Sequence, residues 1–422
     1  MRVIADFHFH SRFARACSKD LTILNVERTA AFKGVHLLGT GDFTHPQWMA
    51  EIKRDLHSAP EAGLYCTDEK SPVRFVLTCE ISSIYSQGGK TRRVHTVFVF
   101  PSLEAAEKFN QTLRKRGAKL AGDGRPIVGI PAKELAKIAL DISPKAIVIP
   151  AHAWTPWFGV FGSMSGFDSL LECFEELTSQ IFSIEMGMSS DASMNWRLSA
   201  NDPITLLASS DAHSLHRIAR EGNVFELSQR NQLSYDWVYA TIKDKDSKKF
   251  PYTIKYYPQE GRYHYDGHAK CRFSCPPSQT KKLKGICPKC GGKLTVGVMA
   301  RVEALADRPE GHTPKSPIPT KHLVPLEEII AEALDKGVGT KTVQNEYEQL
   351  VKAAGGEYQV LLDLPIEELQ KMTKPIITEG IKRVRGEKLH IEPGYDGEYG
   401  VINIFTPEER KELLGKKQDT LF

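Results

Sequence analysis

The sequence lacks any apolar run near the roughly 18 residues that a membrane-spanning helix needs. It also lacks the charged stretch and apolar core of a secretory leader at its N-terminus. Both absences exclude an integral membrane protein, and we expect a cytoplasmic chain with no membrane partner. An excess of one charge is missing too: 56 Lys and Arg against 52 Asp and Glu leave a net charge of +4 over 422 residues. There is no glycine-rich dinucleotide fingerprint, and no motif that sets a Ser or Cys beside a base as a nucleophile. Cysteine is sparse. Of eight, Cys17, Cys66, Cys79 and Cys173 are scattered as small core hydrophobes would be.

The other four are not scattered. Cys271, Cys275, Cys287 and Cys290 lie in CRFSCPPSQTKKLKGICPKC. Disulfides do not suit a reducing compartment, whereas paired thiolate knuckles hold tetrahedral zinc. We read a structural zinc site made by these four cysteines and closed to any further ligand. The same region is basic: Arg262, Lys270, Arg272, Lys281, Lys282, Lys284, Lys289 and Lys293 face a single acid, Asp266.

The chain opens MRVIADFHFHS, in which Asp6, His8 and His10 alternate with apolar residues. A strand sends every second side chain to one face, so all three share a side. Further apolar, β-branched runs fall at 35–41, 73–82, 93–100, 146–151, 181–187 and 204–210, most separated by helical patterns. That alternation predicts a parallel α/β arrangement, and about seven such units favour a barrel over an open sheet. Near the carboxyl ends of these strands stand Asp42, His45, Glu80, His152, Glu185, Asp211 and His213, with His95 earlier in its strand. A ring of imidazoles and carboxylates there suits clustered divalent ions, which clamp the attacking and leaving oxygens of a phosphoryl centre.

These residues carry a family resemblance. HFH, GDFTH, CEIS, the VHTVFVF histidine, PAHAW and SSDAHS together resemble the motif set of the PHP phosphoesterases. The resemblance implies a distorted (β/α)7 PHP barrel with a two- or three-metal site holding zinc, magnesium or manganese. It places His8, His10, Glu80 and Asp211 on one ion, and lets Glu80 bridge to a second bound by His95 and His152. His213, with Asp42 or His45, would hold a third. The usual second motif is a Thr-Asp-His tripeptide, whereas here Phe43 and Thr44 separate Asp42 from His45.

Three longer segments extend the likeness: WTPWFGVFGSMSGFDSL, GRYHYDGHAKC and ITEGIKRVRGEKLHIEPGYDGEYG resemble the endonuclease Q family. That family implies a PHP domain over residues 1–245, a zinc module over 246–308, a Pro-rich linker over 309–326 and a C-terminal helical DNA-binding domain over 327–422. The implied activity is cleavage of duplex DNA on the 5′ side of deaminated bases (uracil, hypoxanthine, xanthine) and abasic sites, with base flipping. Trp154, Trp157, Phe158 and Phe161 are placed to stack on or replace an extruded base, with Ser163 and Asn195 near enough to contact it. Lys282 and Lys284 offer phosphate contacts, as do Arg383 and Arg385. Two helical patterns flank Gly337-Val338-Gly339, the outline of a helix-hairpin-helix whose amides hold a phosphate. Gln418 and Leu421 begin a motif for the PCNA sliding clamp, which the family uses. Two other readings are a PHP phosphatase of a small phosphate monoester and a non-catalytic DNA-binding PHP protein. The basic zinc module weighs against the first, and the nearly full ligand set against the second.

Overall fold

The computed structural model describes residues 1–415; Gln418 and Leu421, where the clamp motif is expected, lie outside the described residues. The expected strands form, five with shorter bounds and the third and fourth with longer ones. β1 (Arg2–Asp6), β2 (Leu37–Gly39), β3 (Arg74–Gln87), β4 (Lys90–Phe100), β5 (Ile147–Pro150), β6 (Ser183–Glu185) and β7 (Thr205–Leu207) fall inside or across the seven apolar runs. Gly222–Glu226 (β8) and Tyr252–Lys255 (β9) add two more, so the sheet continues past residue 245.

The sheet is mixed, not all parallel. β1 pairs parallel with β2 and β2 with β3, but β3 folds back on β4 as a long antiparallel hairpin. β5 is antiparallel to β4, and β8 is antiparallel to β1. The sequence itself carries the reason: Gly88-Gly89 supplies two positive φ values, 61° and 72°, between two β-branched runs. Beyond β5 the Ala153 amide reaches the Glu185 carbonyl at 2.8 Å, and β6 pairs with β7. The Asn223 side chain then ties Ala208 of that pair to β8 through two hydrogen bonds of 3.0 and 2.7 Å.

Alternation sorts the side chains. Val3, Ala5 and Phe7 join Leu37, Val76, Val97, Ile149, Leu207 and Phe225 in one apolar cluster drawn from most strands. Ile4, of the opposite parity, packs instead in a second cluster with helix residues such as Val26 and Ala30, and Phe9, past the end of β1, joins that cluster too. Each fully buried side chain of this kind contributes about 1.5–3 kcal/mol. The helices around the sheet start and stop on local signals. In α1 (Ile23–Lys33) the Thr22 hydroxyl caps the Asn25 amide and Gly34 ends the helix at φ 82°. Ser102 caps α2 (Leu103–Lys115) in the same way.

The Pro-rich segment does more than link. Thr320–His322 pairs parallel with β9, Ile318 is buried, and Arg308 makes two 2.7 Å bonds to Asp202. Beyond it, α3 (Leu326–Leu334) and α4 (Lys341–Ala354) flank the Gly337–Gly339 turn, and Pro375–Arg385 forms a further helix against α3. Buried ties hold this helical part to the sheet: Lys33 donates to the His216 and Ile218 carbonyls and sits 3.6 Å from Glu357, and Tyr358 donates to the Ala219 carbonyl.

Candidate metal centre

Donors from inside the β3–β4 hairpin and from the segments just past β1, β5 and β7 converge, so Glu80 sits within its strand and not near its carboxyl end. His8, His10 and Asp211 present ligand atoms within 4.8 Å of one another, as do Glu80, His95 and His152. Glu80 joins the two groups. Its Oε2 lies 3.3 Å from His10 Nε2 and 3.6 Å from His8 Nε2, while its Oε1 lies 2.8 Å from His95 Nδ1 and 3.2 Å from His152 Nε2. Asp211 Oδ1 is 3.2 Å from His10 Nε2. Two ligands about 2.1 Å from one ion are separated by roughly this distance.

The donors are aimed as well as gathered. His8 Nδ1 is 2.8 Å from Glu185, and His10 Nδ1 is 3.0 Å from Asp42, so each ring is held by one nitrogen and offers the other. His8 Nε2, His10 Nε2 and Asp211 Oδ1 are buried and have no hydrogen-bond partner. Three orphaned acceptors at one point are costly unless something cationic occupies it. The donor set therefore fits divalent metal.

Backbone geometry shows the same concentration. Asp42, His152 and Asp211 adopt φ of 43°, 30° and 45°, a region that costs a non-glycine residue about 1 kcal/mol or more. Gly187 makes the His152 turn possible, because a Cβ there would sit 2.5 Å from His152 Cβ.

Electrostatics follow from burial and close charges. Burial disfavours the His8 imidazolium, yet Glu185 and Glu80 outweigh it and lift the ring well above the ordinary histidine value. His10 is lifted in the same way by Asp42 and Asp211 against its burial. Burial wins at His95, which falls to about 4 despite Glu80. Glu80 and Asp211 resist burial and are held well below the usual carboxylate range by the surrounding imidazoles.

Asp6, on the strand face that leads to His8 and His10, joins neither group; its buried carboxylate accepts from the amides of His8, Ser210 and Ala219. Several expected ligands are placed otherwise. Asp42 does not face the donor groups, because its carboxylate is taken by His10, the Ser11 amide and the Ser11 hydroxyl. His45 stacks on Phe13 at 4.5 Å and points Nε2 at the Ala121 carbonyl. Glu185 serves His8 behind the site. His213 stays at the edge, with Nδ1 2.8 Å from the Asp211 carbonyl and its ring 4.8 Å from that of His10. Among the described residues no third group of three donors gathers here.

The second cluster also differs in membership. His268, Cys271, Cys287 and Cys290 bring their donors within 4.8 Å, and Cys290 Sγ lies 3.3 Å from His268 Nδ1. Cys275 is buried beneath them with Sγ 3.3 Å from the Thr280 hydroxyl. The hairpin of Asp266–His268 with Phe273–Cys275 explains this exchange, since it sets His268 beside the knuckle.

Most of the aromatic loop is core. Trp154 and Phe161 are fully buried against each other at 4.9 Å, and Trp154 donates to Asn195, itself buried. None of the three can meet DNA in this arrangement. Trp157 is exposed with the Arg93 guanidinium 5.2 Å from its ring centre, and Phe158 lies against His95 at 4.4 Å. Ser163, Lys282, Lys284, Gly337 and Gly339 are not buried. Arg383 and Arg385 are occupied: the first by Glu379, Glu409 and the Ile404 carbonyl, the second by the carbonyls of Val360, Leu361 and Leu364. Three free carbonyls at the end of a helical turn take a guanidinium before a phosphate does.

Sequence reasoning missed Arg125, whose Nη1 lies 3.2 Å from Glu80 Oε2. It arrives on a loop, and its GDGRP setting reads only as a turn. A cavity of about 1040 Å³ adjoins the centre, lined by Asp211, His213, Arg220, Glu260, Gln344 and Tyr399 among others.

Known proteins share this architecture. A lesion-specific endonuclease from Pyrococcus furiosus, PfuEndoQ, superposes with a TM-score of 0.85 at 31% identity, covering 100% of this chain and 98% of that one. Endonuclease Q in complex with a 27-mer duplex bearing an abasic lesion at its active site gives 0.84 at 32% identity, over 97% and 98% of the two chains. The uncharacterized protein MJ0043 of Methanocaldococcus jannaschii is 34% identical over 262 residues, 61% of this chain. This chain spans 32% of that protein's length. A family model described as the MJ0043 C-terminal domain matches residues 325–388, the helical part.

Proposed function

This chain belongs to the endonuclease Q family, and on that premise we propose that it is a metal-dependent endonuclease that hydrolyses a phosphodiester of damaged duplex DNA. One observation carries the reading: the Glu80 carboxylate faces two buried donor groups at once, with the His8 and His10 nitrogens unpartnered between them. Divalent cations bound there would supply activated water and positive charge for phosphoryl transfer. His8, His10 and Asp211 would hold one ion and His95 and His152 another, with Glu80 facing both groups. Glu185 and Asp42 fix the ring orientations from behind. A phosphodiester presented to this face needs no protein nucleophile.

The substrates are deaminated bases and abasic sites, cut on their 5′ side to leave a 3′-hydroxyl and a 5′-phosphate. The extruded nucleotide enters the cavity beside Asp211 and His213, whose volume of about 1040 Å³ has room for a nucleoside. Trp157 and the exposed lysines of the zinc module, with the Gly337–Gly339 turn, supply sequence-independent contacts. His268, Cys271, Cys287 and Cys290 would hold a structural zinc.

A panel of end-labelled duplexes tests the reading. Duplexes with one abasic site, hypoxanthine, uracil or xanthine should each give a single nick, with a religatable 3′-hydroxyl and 5′-phosphate across the gap. Equal cutting of undamaged duplex, or release of phosphate from monoesters with no nicking, would overturn it.

A further inference from the structure

The loop of residues 117–126 brings to the carboxylates a cation that the metal ligands do not account for. Its backbone is fixed on both sides. Gly124 donates to the Phe13 carbonyl at 3.1 Å, Asp123 Oδ1 accepts from the amides of Arg15 and Arg125, and the Pro126 carbonyl accepts from Ser82 at 3.0 Å. Gly124 runs so close to Asp42 that a Cβ there would lie 2.3 Å from Oδ2. Arg125 is thereby anchored beside the centre, with Nη1 3.2 Å from Glu80 Oε2 and its side chain 26% exposed. Among the described residues Glu80 is its one hydrogen-bond acceptor, which leaves its remaining N–H groups unclaimed.

Resting on the function proposed above, we infer that Arg125 contacts the substrate directly, holding a nonbridging oxygen of the phosphodiester that is cut. The charges dictate this. Cations held in the two donor groups would claim the Glu80 oxygens and would repel the guanidinium from them. The anion left for it is the phosphodiester seated on the same face. A planar fork of N–H donors matches two phosphate oxygens, which an ammonium does not. A fixed cation in a half-buried position stabilises charge that builds on the phosphoryl oxygens.

The test compares metal-loaded wild type with Arg125→Ala and Arg125→Lys. Metal content should equal wild type in both, while Arg125→Ala cuts an abasic duplex about 100-fold more slowly. Free guanidinium ion should restore part of that rate, and Arg125→Lys should fall between. Wild type should bind a duplex with a neutral methylphosphonate at the scissile linkage more weakly than the charged duplex, and this difference should shrink in Arg125→Ala, where only the metal cations still favour the charged linkage. A rate within about threefold of wild type, or metal lost in proportion to activity, would overturn the assignment and leave Arg125 as the partner of Glu80. Hydrolysis of bis(4-nitrophenyl) phosphate is run in parallel. If wild type cleaves that diester in an Arg125-dependent way but cuts no lesion duplex, the proposed substrate fails and the assignment of Arg125 stands.

Discussion

Asp42 Oδ1 lies 3.0 Å from His10 Nδ1, and this contact makes Asp42 an orienting partner of the metal face. The carboxylate fixes which ring nitrogen of His10 carries the proton and leaves Nε2 for a cation. Replacing Asp42 with Asn keeps the shape but removes the charge. We expect metal affinity to fall about 10–100-fold with the fold retained, measured by competition with a chelating dye. His10→Ala, which deletes the donor itself, should lose that metal entirely.

Glu80 should be the most consequential carboxylate. Glu80→Gln replaces one anionic oxygen with a donor that faces two imidazoles. Both donor groups weaken together, so elemental analysis should find both catalytic ions depleted, with the zinc of the cysteine cluster unchanged.

Metal affinity should depend on pH with a definite sign. Burial disfavours charged His8 and His10, but Glu185, Glu80 and Asp42 outweigh it, so both rings hold protons above the ordinary histidine value. A cation must displace these protons, so binding tightens as pH rises through and beyond about 6.5. The metal-free protein should show the opposite trend in stability. The raised pKa values favour its folded state fully below that pH, and the contribution is lost as pH climbs through the folded values. Calorimetric titrations at several pH values read the first effect, and melting of chelator-treated protein reads the second.

In the zinc module, His268→Ala or Cys287→Ser should release the metal. Cys275→Ser, at a thiol beside Thr280, should retain it. Loss of metal from Cys275→Ser together with retention in His268→Ala would restore the four-cysteine site.

The two tryptophans behind His152 should separate stability from DNA contact. Trp154→Ala opens a cavity in packed core and should cost about 3–5 kcal/mol in denaturant unfolding. Trp157 is 44% exposed, so Trp157→Ala should leave stability nearly unchanged and weaken duplex binding instead.

What could be read from the sequence followed period and strand ends. His8 and His10 lie just past β1 but keep its two-residue alternation, because Phe9 between them bridges Ala212, and Glu80, His95, His152 and Asp211 belong to or closely follow the apolar runs. Ligands and their supports were harder to separate. A carboxylate in a ring of histidines reads equally as a metal donor or as a partner to the back of a ring, and in the structure Asp42 and Glu185 lie against the Nδ1 atoms of His10 and His8. Burial was equally hidden: WTPWF reads as one aromatic patch, yet the turn after His152 sends Trp154 inward and Trp157 outward. Arg125 and His268 reach their sites through a loop and a hairpin, so no spacing within the sequence marks them. The Gly88-Gly89 turn was legible in principle. Its antiparallel consequence was masked by the helices that separate the other strands.

The central claim is that one bridged pair of metal groups cuts damaged DNA. Its most direct test is strand cleavage of a labelled duplex carrying one abasic site, using wild type, chelator-stripped wild type, metal-restored wild type and Glu80→Gln. A single nick beside the lesion should appear with wild type and with restored wild type, and vanish in the other two. Undamaged duplex should stay intact throughout. Nicking that survives in Glu80→Gln, or in the stripped protein, would contradict the claim.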